Sequence, residues 1–283
     1  MAKSKTKQHW VERRLKLGSH LSVSPICLGI VHHPSMVTRA FDAGINFFFL
    51  TADMHWPYYE ATRQGLADLL KKRPKARKDL VVAGAAYVTQ PEFCSMPFTE
   101  IIEHIPGLER LDLLVAGGAY GHNLGGRMPV FHRHRESNFI GCTSIGASFH
   151  DREAARWAVS SSAVDIAFVR FNAGHPGAAW DLFPHLARPR NALVYNFNTT
   201  HGFVSQDQAK KLAPKSKWLP GITDHYRFAL SQSAIDGLMV ALEGDDHLDE
   251  LIRATDLGPL SLDEQHFLVD LAAKADQSQS PPA

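Results

Sequence analysis

Eight short, mostly apolar runs recur along the chain, separated by stretches with helical spacing. They are Ile26–Ile30, Asn46–Leu50, Leu80–Ala85, Leu111–Ala116, Thr143–Ala147, Asp165–Arg170, Ala192–Phe197 and Gly237–Ala241. Most are continuously apolar, which fits strands covered on both faces of a parallel sheet. Helical patterns lie at Ser35–Ala43, Tyr58–Lys72, Thr99–His104, Asp151–Ser160 and Asp245–Ala254. Asp151 is suited to cap its helix. Eight strand–helix units favour closure into a (β/α)8 TIM barrel, an α/β fold. An open doubly wound sheet is the alternative. No GxGxxG or GxxxxGK(S/T) phosphate loop follows the first run to support it. Leu15, Leu17, Leu21 and Val23 alternate about a short turn, so residues 11–23 are expected to form a hairpin at the bottom face. One domain is expected over residues 1–283, with 1–9 and 276–283 as flexible tails. The stretch 202–222 reads as an excursion after the seventh run.

Composition narrows the partners. Thirty basic residues face 29 acidic ones, which argues against a dedicated nucleic-acid or membrane-surface partner. No apolar run approaches the roughly 18 residues of a membrane span. The basic N-terminus lacks the apolar core of a secretory signal. Cys27, Cys94 and Cys142 are odd in number without CxxC spacing, and read as reduced thiols in a cytoplasmic protein.

Four stretches resemble the aldo-keto reductases, in that family's order. RRLKLGSHLSVSPICLGI is similar to its N-terminal hairpin and first strand, and AFDAGINFFFLTAD to its second-strand motif. SIGASFHDREAA resembles its fifth-strand motif, and ALSQSAIDGLMVALEGDDHLDEL its C-terminal pattern. Together they span about residues 11–275. The resemblance implies the barrel fold, but the family's catalytic tetrad does not carry over. Its Asp falls on Phe49 or Leu50, its proton-donating Tyr on His55, its Lys on Gly84 or Ala85, and its His on Gly117. In that mechanism a hydride attacks a carbonyl carbon while Tyr protonates the oxygen, tuned by Asp and Lys.

The cofactor positions implied by the resemblance are mixed. Ser148 matches the Ser that holds the nicotinamide carboxamide, and Tyr195 the Tyr that stacks on the ring. Phe149 and Phe168 replace an Asn and a Gln. After the eighth strand, Ala241, Leu242 and His247 stand where basic and hydroxyl groups grip a 2′-phosphate, interleaved with Glu243, Asp245 and Asp246. Such a loop repels phosphate, so NADPH is disfavoured and NADH penalised less. No cofactor is assigned.

Catalytic groups of such barrels lie at the C-terminal ends of the strands. His32, His33, His55, His122, His150, His175 and His201 fall just there, with Asp53 and Tyr87. Imidazole titrates near neutrality and suits acid–base work. His55 is the leading catalytic candidate, oriented by Asp53. His32, Trp56, Tyr87, His150 and His175 are candidate pocket residues, with Tyr58 or Tyr59 beside them. No HExxH motif occurs, and the one HxH pair, His132 and His134, reads as a solvated helix face. No metal site is expected. The glycines 117, 118, 121, 125 and 126 read either as a lid or as a plain surface loop. Three functions remain open: acid–base chemistry on a carbonyl-containing small molecule or peptide, a nicotinamide-dependent oxidoreductase with His55 in place of Tyr, and an inactive binding protein.

Overall fold

The structure is a computed structural model that describes residues 10–189 and 191–279. A two-stranded antiparallel hairpin comes first, β1 (Leu15–Leu17) and β2 (Leu21–Val23), with Leu15 opposite Val23. Eight parallel strands follow: β3 (Ile26–Val31), β4 (Phe47–Thr51), β5 (Val81–Ala86), β6 (Leu113–Ala119), β7 (Ser144–Phe149), β8 (Ile166–Arg170), β9 (Leu193–Phe197) and β10 (Gly237–Leu242). They close in sequence order, β10 pairing with β3. Each of the eight apolar runs supplies one strand. The α-helices among the described residues are α1 (Ser35–Asp42), α2 (Glu60–Lys72), α3 (Met96–Glu103), α4 (Gly121–Glu136), α5 (Arg152–Ser160), α6 (Ala178–Asp181), α7 (Gln206–Leu212) and α8 (Ile222–Leu230) between the strands, and α9 (His247–Leu257) and α10 (Leu262–Gln279) after β10.

The hairpin covers the N-terminal mouth. Leu17 and Val23 are fully buried. Gly18, at φ +57°, lies so near the start of β7 that a Cβ there would come within 2.7 Å of Ser144 Oγ. Asp151 caps α5 as expected, accepting from the backbone N–H of Glu153 and Ala154.

Two expectations need correction. Of the glycines read as a loop or lid, Gly117 and Gly118 belong to β6, and Gly121, Gly125 and Gly126 to helix α4. Glycine is a poor helix former, but Leu124, Arg127, Met128 and Phe131 are buried along one face. The Arg127 guanidinium, fully buried, donates to the carbonyls of Ala86 (3.2 Å) and Gly117 (2.9 Å). These tertiary bonds fasten the helix to the ends of β5 and β6. Residues 276–279, expected in a flexible tail, belong to helix α10, which runs to Gln279. Residues 1–9 and 280–283 lie outside the described residues. Among the described residues no helix is long and apolar enough to cross a membrane.

Aromatic rings fill the barrel. Phe47, Phe49, Phe168 and Tyr195 are fully buried and pack mutually at centroid distances of 5.5–6.3 Å. Tyr59 caps the column, 6.3 Å from Phe49. At the bottom, the Tyr195 hydroxyl donates to the Ser24 carbonyl at 2.7 Å.

His225 on α8 is the costly residue. It is 1% exposed, its ring nitrogens have no hydrogen-bond partner among the described residues, and burial pushes its pKa down to about 4. The unfolded chain therefore binds a proton below its ordinary value of 6.5 that the folded chain refuses until about pH 4. Stability falls as pH drops through that window, by ~2 kcal/mol at pH 5. His225→Phe is expected to remove this loss. Urea unfolding at pH 7 and pH 5 checks it, and an unchanged pH dependence contradicts it.

Candidate active site

A cavity of about 520 Å³ opens at the C-terminal mouth of the barrel. Its walls include Gly29 and Ile30 from β3, His55 and Tyr59 from the segment after β4, and Tyr87 after β5. His150, the 197–202 segment, Tyr226 and the 239–243 segment complete it.

His55 and Asp53 stand in the short segment between β4 and α2. Asp53 Oδ2 accepts from the Tyr87 backbone N–H at 2.6 Å. Its Oδ1 accepts from the His55 N–H at 3.4 Å and lies 3.5 Å from His55 Nδ1. That approach is within ion-pair range, and Nδ1 has no hydrogen-bond partner among the described residues. Long, poorly aligned contacts of this kind commonly tighten when a substrate binds. The His55 side chain is 40% exposed, against 9% for Asp53. The imidazole therefore meets the cavity while the carboxylate stays behind it. The His55 and Tyr87 rings lie 4.5 Å apart.

Tyr87 occupies space that a larger residue at 117 would need. A Cβ on Gly117 would come within 2.8 Å of the Tyr87 ring. The Tyr87 hydroxyl is hydrogen-bonded to Ser148, whose Oγ accepts from the Gly118 N–H at 3.0 Å. Burial, and then the charge of Asp53, raise the Tyr87 pKa. Burial also holds the Tyr59 pKa well above its ordinary value, followed by the nearby Tyr87, Cys27 and Asp53. Both phenols stay protonated at neutral pH and can act as donors.

Several candidates are brought together and several are not. His55, Tyr87 and His150 line the cavity, Asp53 backs His55, and Ser148 lies beneath Tyr87. Of Tyr58 and Tyr59, Tyr59 lines it and Tyr58 is exposed. Trp56 turns away, stacked under the Arg63 guanidinium (3.3 Å) with His104 at its edge. His32 is exposed and not among the lining residues, and its backbone N–H donates to the Leu242 carbonyl. His175 belongs to an adjacent cavity of about 410 Å³ that shares His201 and Gly202 with the first. Its ring binds Arg170 Nη2 at 2.8 Å. His132 and His134 are partly buried and engaged, His134 with Ser95 Oγ at 2.6 Å. Among the described residues no three His, Cys, Asp or Glu side chains converge as metal ligands.

Tyr195 requires correction as a cofactor residue. It is fully buried below the cavity floor with its hydroxyl on Ser24, so it cannot stack on a ligand at the mouth. Phe168 is fully buried in the aromatic column, Phe149 is 2% exposed, and Leu242 is fully buried. His247 folds back so that Nδ1 accepts from the Glu243 N–H at 3.3 Å. These positions do not fit a nicotinamide cofactor held in the manner of the aldo-keto reductases. Sequence reasoning misses Tyr226 entirely and assigns Glu243 only to phosphate repulsion. Both line the cavity, and no local motif marks a residue delivered from helix α8.

No protein-family model matches the chain, and a search of curated proteins finds no match. Solved structures do share its fold. Aldo-keto reductase AKR11C1 from Bacillus halodurans, in its holo form, superposes with a TM-score of 0.69 over 92% of this chain and 96% of its own, at 15% identity. The chain therefore has an aldo-keto-reductase-like barrel.

Two expected outcomes follow from this geometry. Gly117→Ala should displace Tyr87 and cost ~1–3 kcal/mol as overpacking, measured by urea unfolding. Adding Tyr87→Ala should relieve most of that loss, and additive effects would contradict the contact. NADPH should show no saturable binding in the low micromolar range. Losing two charge-assisted contacts costs ~3–6 kcal/mol, enough to move a micromolar Kd to about millimolar. Calorimetric titration of NADPH and NADH checks this, and tight NADPH binding would overturn it.

Proposed function

We propose that this chain is an enzyme that carries out acid–base chemistry on a carbonyl-containing small molecule, with His55 as the proton-transferring group. The observation that carries the reading is the Asp53–His55 pair, with a half-exposed imidazole on the cavity and a part-buried carboxylate 3.5 Å behind it. Neutral His55 takes a proton from the carbon beside the carbonyl. The carbon–hydrogen electron pair moves into the new carbon–carbon double bond, and the carbonyl oxygen gains negative charge. Tyr59, kept protonated by burial, donates a hydrogen bond to that oxygen. Asp53 steadies the resulting imidazolium, and His55 returns the proton to the same or a neighbouring carbon. Protonation and deprotonation balance, and no external reductant is consumed.

The test is exchange of substrate carbon-bound hydrogen in deuterium oxide, followed by NMR over a panel of small ketones and aldehydes. His55→Ala should slow exchange about 10²–10⁴-fold with folding intact. Asp53→Asn should slow it less, since it orients rather than transfers. Exchange that is equally fast in wild type and His55→Ala sinks the proposal.

A further inference from the structure

We infer that the cavity selects a substrate carrying a positively charged amino group, held by Glu243 and Tyr226 on the β10 side while its carbonyl reaches His55. This deepens the reading proposed above and rests on it for the role of His55.

The charge balance of the walls is one-sided. Among the described residues that line the cavity there is no Lys or Arg, and Glu243 is the one carboxylate. Asp53 adds a second negative charge behind His55. Two arginines outside the lining are hydrogen-bonded to other groups. Arg170, beside His150, turns to the His175 ring. Arg39, beside the β10–α9 loop, binds the Asp245 carbonyl at 3.2 Å and Asp249 at 3.5 Å. His55, His150 and His201 are the titratable bases of the wall; with no Lys or Arg lining it, Glu243 and Asp53 favour a cationic ligand over an anionic one.

A second observation points to a ligand independently of that charge. Tyr226 lines the cavity, is 1% exposed, and its hydroxyl has no partner among the described residues. A buried hydroxyl without a hydrogen bond is costly. Burial, then the charges of Glu250 and Glu243, raise its pKa. It therefore remains a neutral phenol, whose oxygen can accept from an ammonium. An ammonium has three donors; Glu243 and Tyr226 offer acceptors for two of them. β3 alone stands between β10 and β4 in the barrel order, so one small molecule can span from Glu243 across Gly29 and Ile30 to His55.

Three ketones of similar size separate the possibilities: 4-aminobutan-2-one (cationic), pentan-2-one (neutral) and 4-oxopentanoate (anionic). Binding to the full chain is measured by ligand-observed NMR, which needs no turnover. The aminoketone should bind about tenfold more tightly than the neutral ketone, and the anion most weakly. Glu243→Gln should erase most of that preference and leave pentan-2-one unchanged. Tyr226→Phe should weaken the aminoketone about threefold. The preference should shrink with added salt. Equal or tighter binding of the neutral or anionic ketone overturns the inference. So does an unchanged preference in Glu243→Gln, or no saturable aminoketone binding up to about 50 mM. His55→Ala should keep the preference. If exchange chemistry fails while the preference stands, only the proposed reaction falls. If exchange proceeds without any preference for the amine, only this inference falls.

Discussion

Filling the barrel is the constraint on which the rest depends. Eight parallel strands enclose a space that side chains must occupy at close packing. Here the load falls on aromatic rings stacked from Tyr195 through Phe47, Phe168 and Phe49 to Tyr59. The column is pinned below by the Tyr195–Ser24 hydrogen bond. Its upper end is the cavity floor. Tyr59 thus serves packing through its ring and chemistry through its hydroxyl. A wall of Gly237 lets the column fit, since a Cβ there would lie 2.5 Å from the Tyr195 ring.

Above that floor, one carboxylate organises two strand ends. Asp53 binds the Tyr87 N–H and stands behind His55, joining the segments after β4 and β5. Arg127 grips the same region from outside through the carbonyls of Ala86 and Gly117. The mouth is held by polar bonds to backbone, while the site's own titratable groups remain available. Low local dielectric makes such bonds matter more than they would in water.

The barrel was legible in the sequence because strands buried on two faces must be apolar throughout, and eight such runs leave little choice of architecture. The hairpin was legible from the alternation of Leu15, Leu17, Leu21 and Val23, and the α5 cap from Asp151. Helix α4 was not, because its stability comes from the buried Arg127, a contact between distant segments. Tyr195 sits on the strand where the resemblance puts it. Its height in the barrel depends on ring packing that one sequence position does not encode. The pairing of His55 with Asp53 is local and could be read. Tyr226 and Glu243 converge only once α8 and β10 are folded beside each other.

The contact between Tyr87 and Gly117 also limits which side chains this end of the barrel can accept. A histidine at 117 meets the Tyr87 ring. A carboxylate at 49 or 50 would be buried, at 49 against Phe168 and Tyr59, and neither Gly84 nor Ala85 offers a cation to neutralise it. Each such substitution made singly is therefore expected to destabilise, and only a concerted set removes the clash and the unpaired charge together. The ring of Tyr87 over a bare backbone thus makes this corner of the mouth tolerant of change only where neighbouring positions change with it.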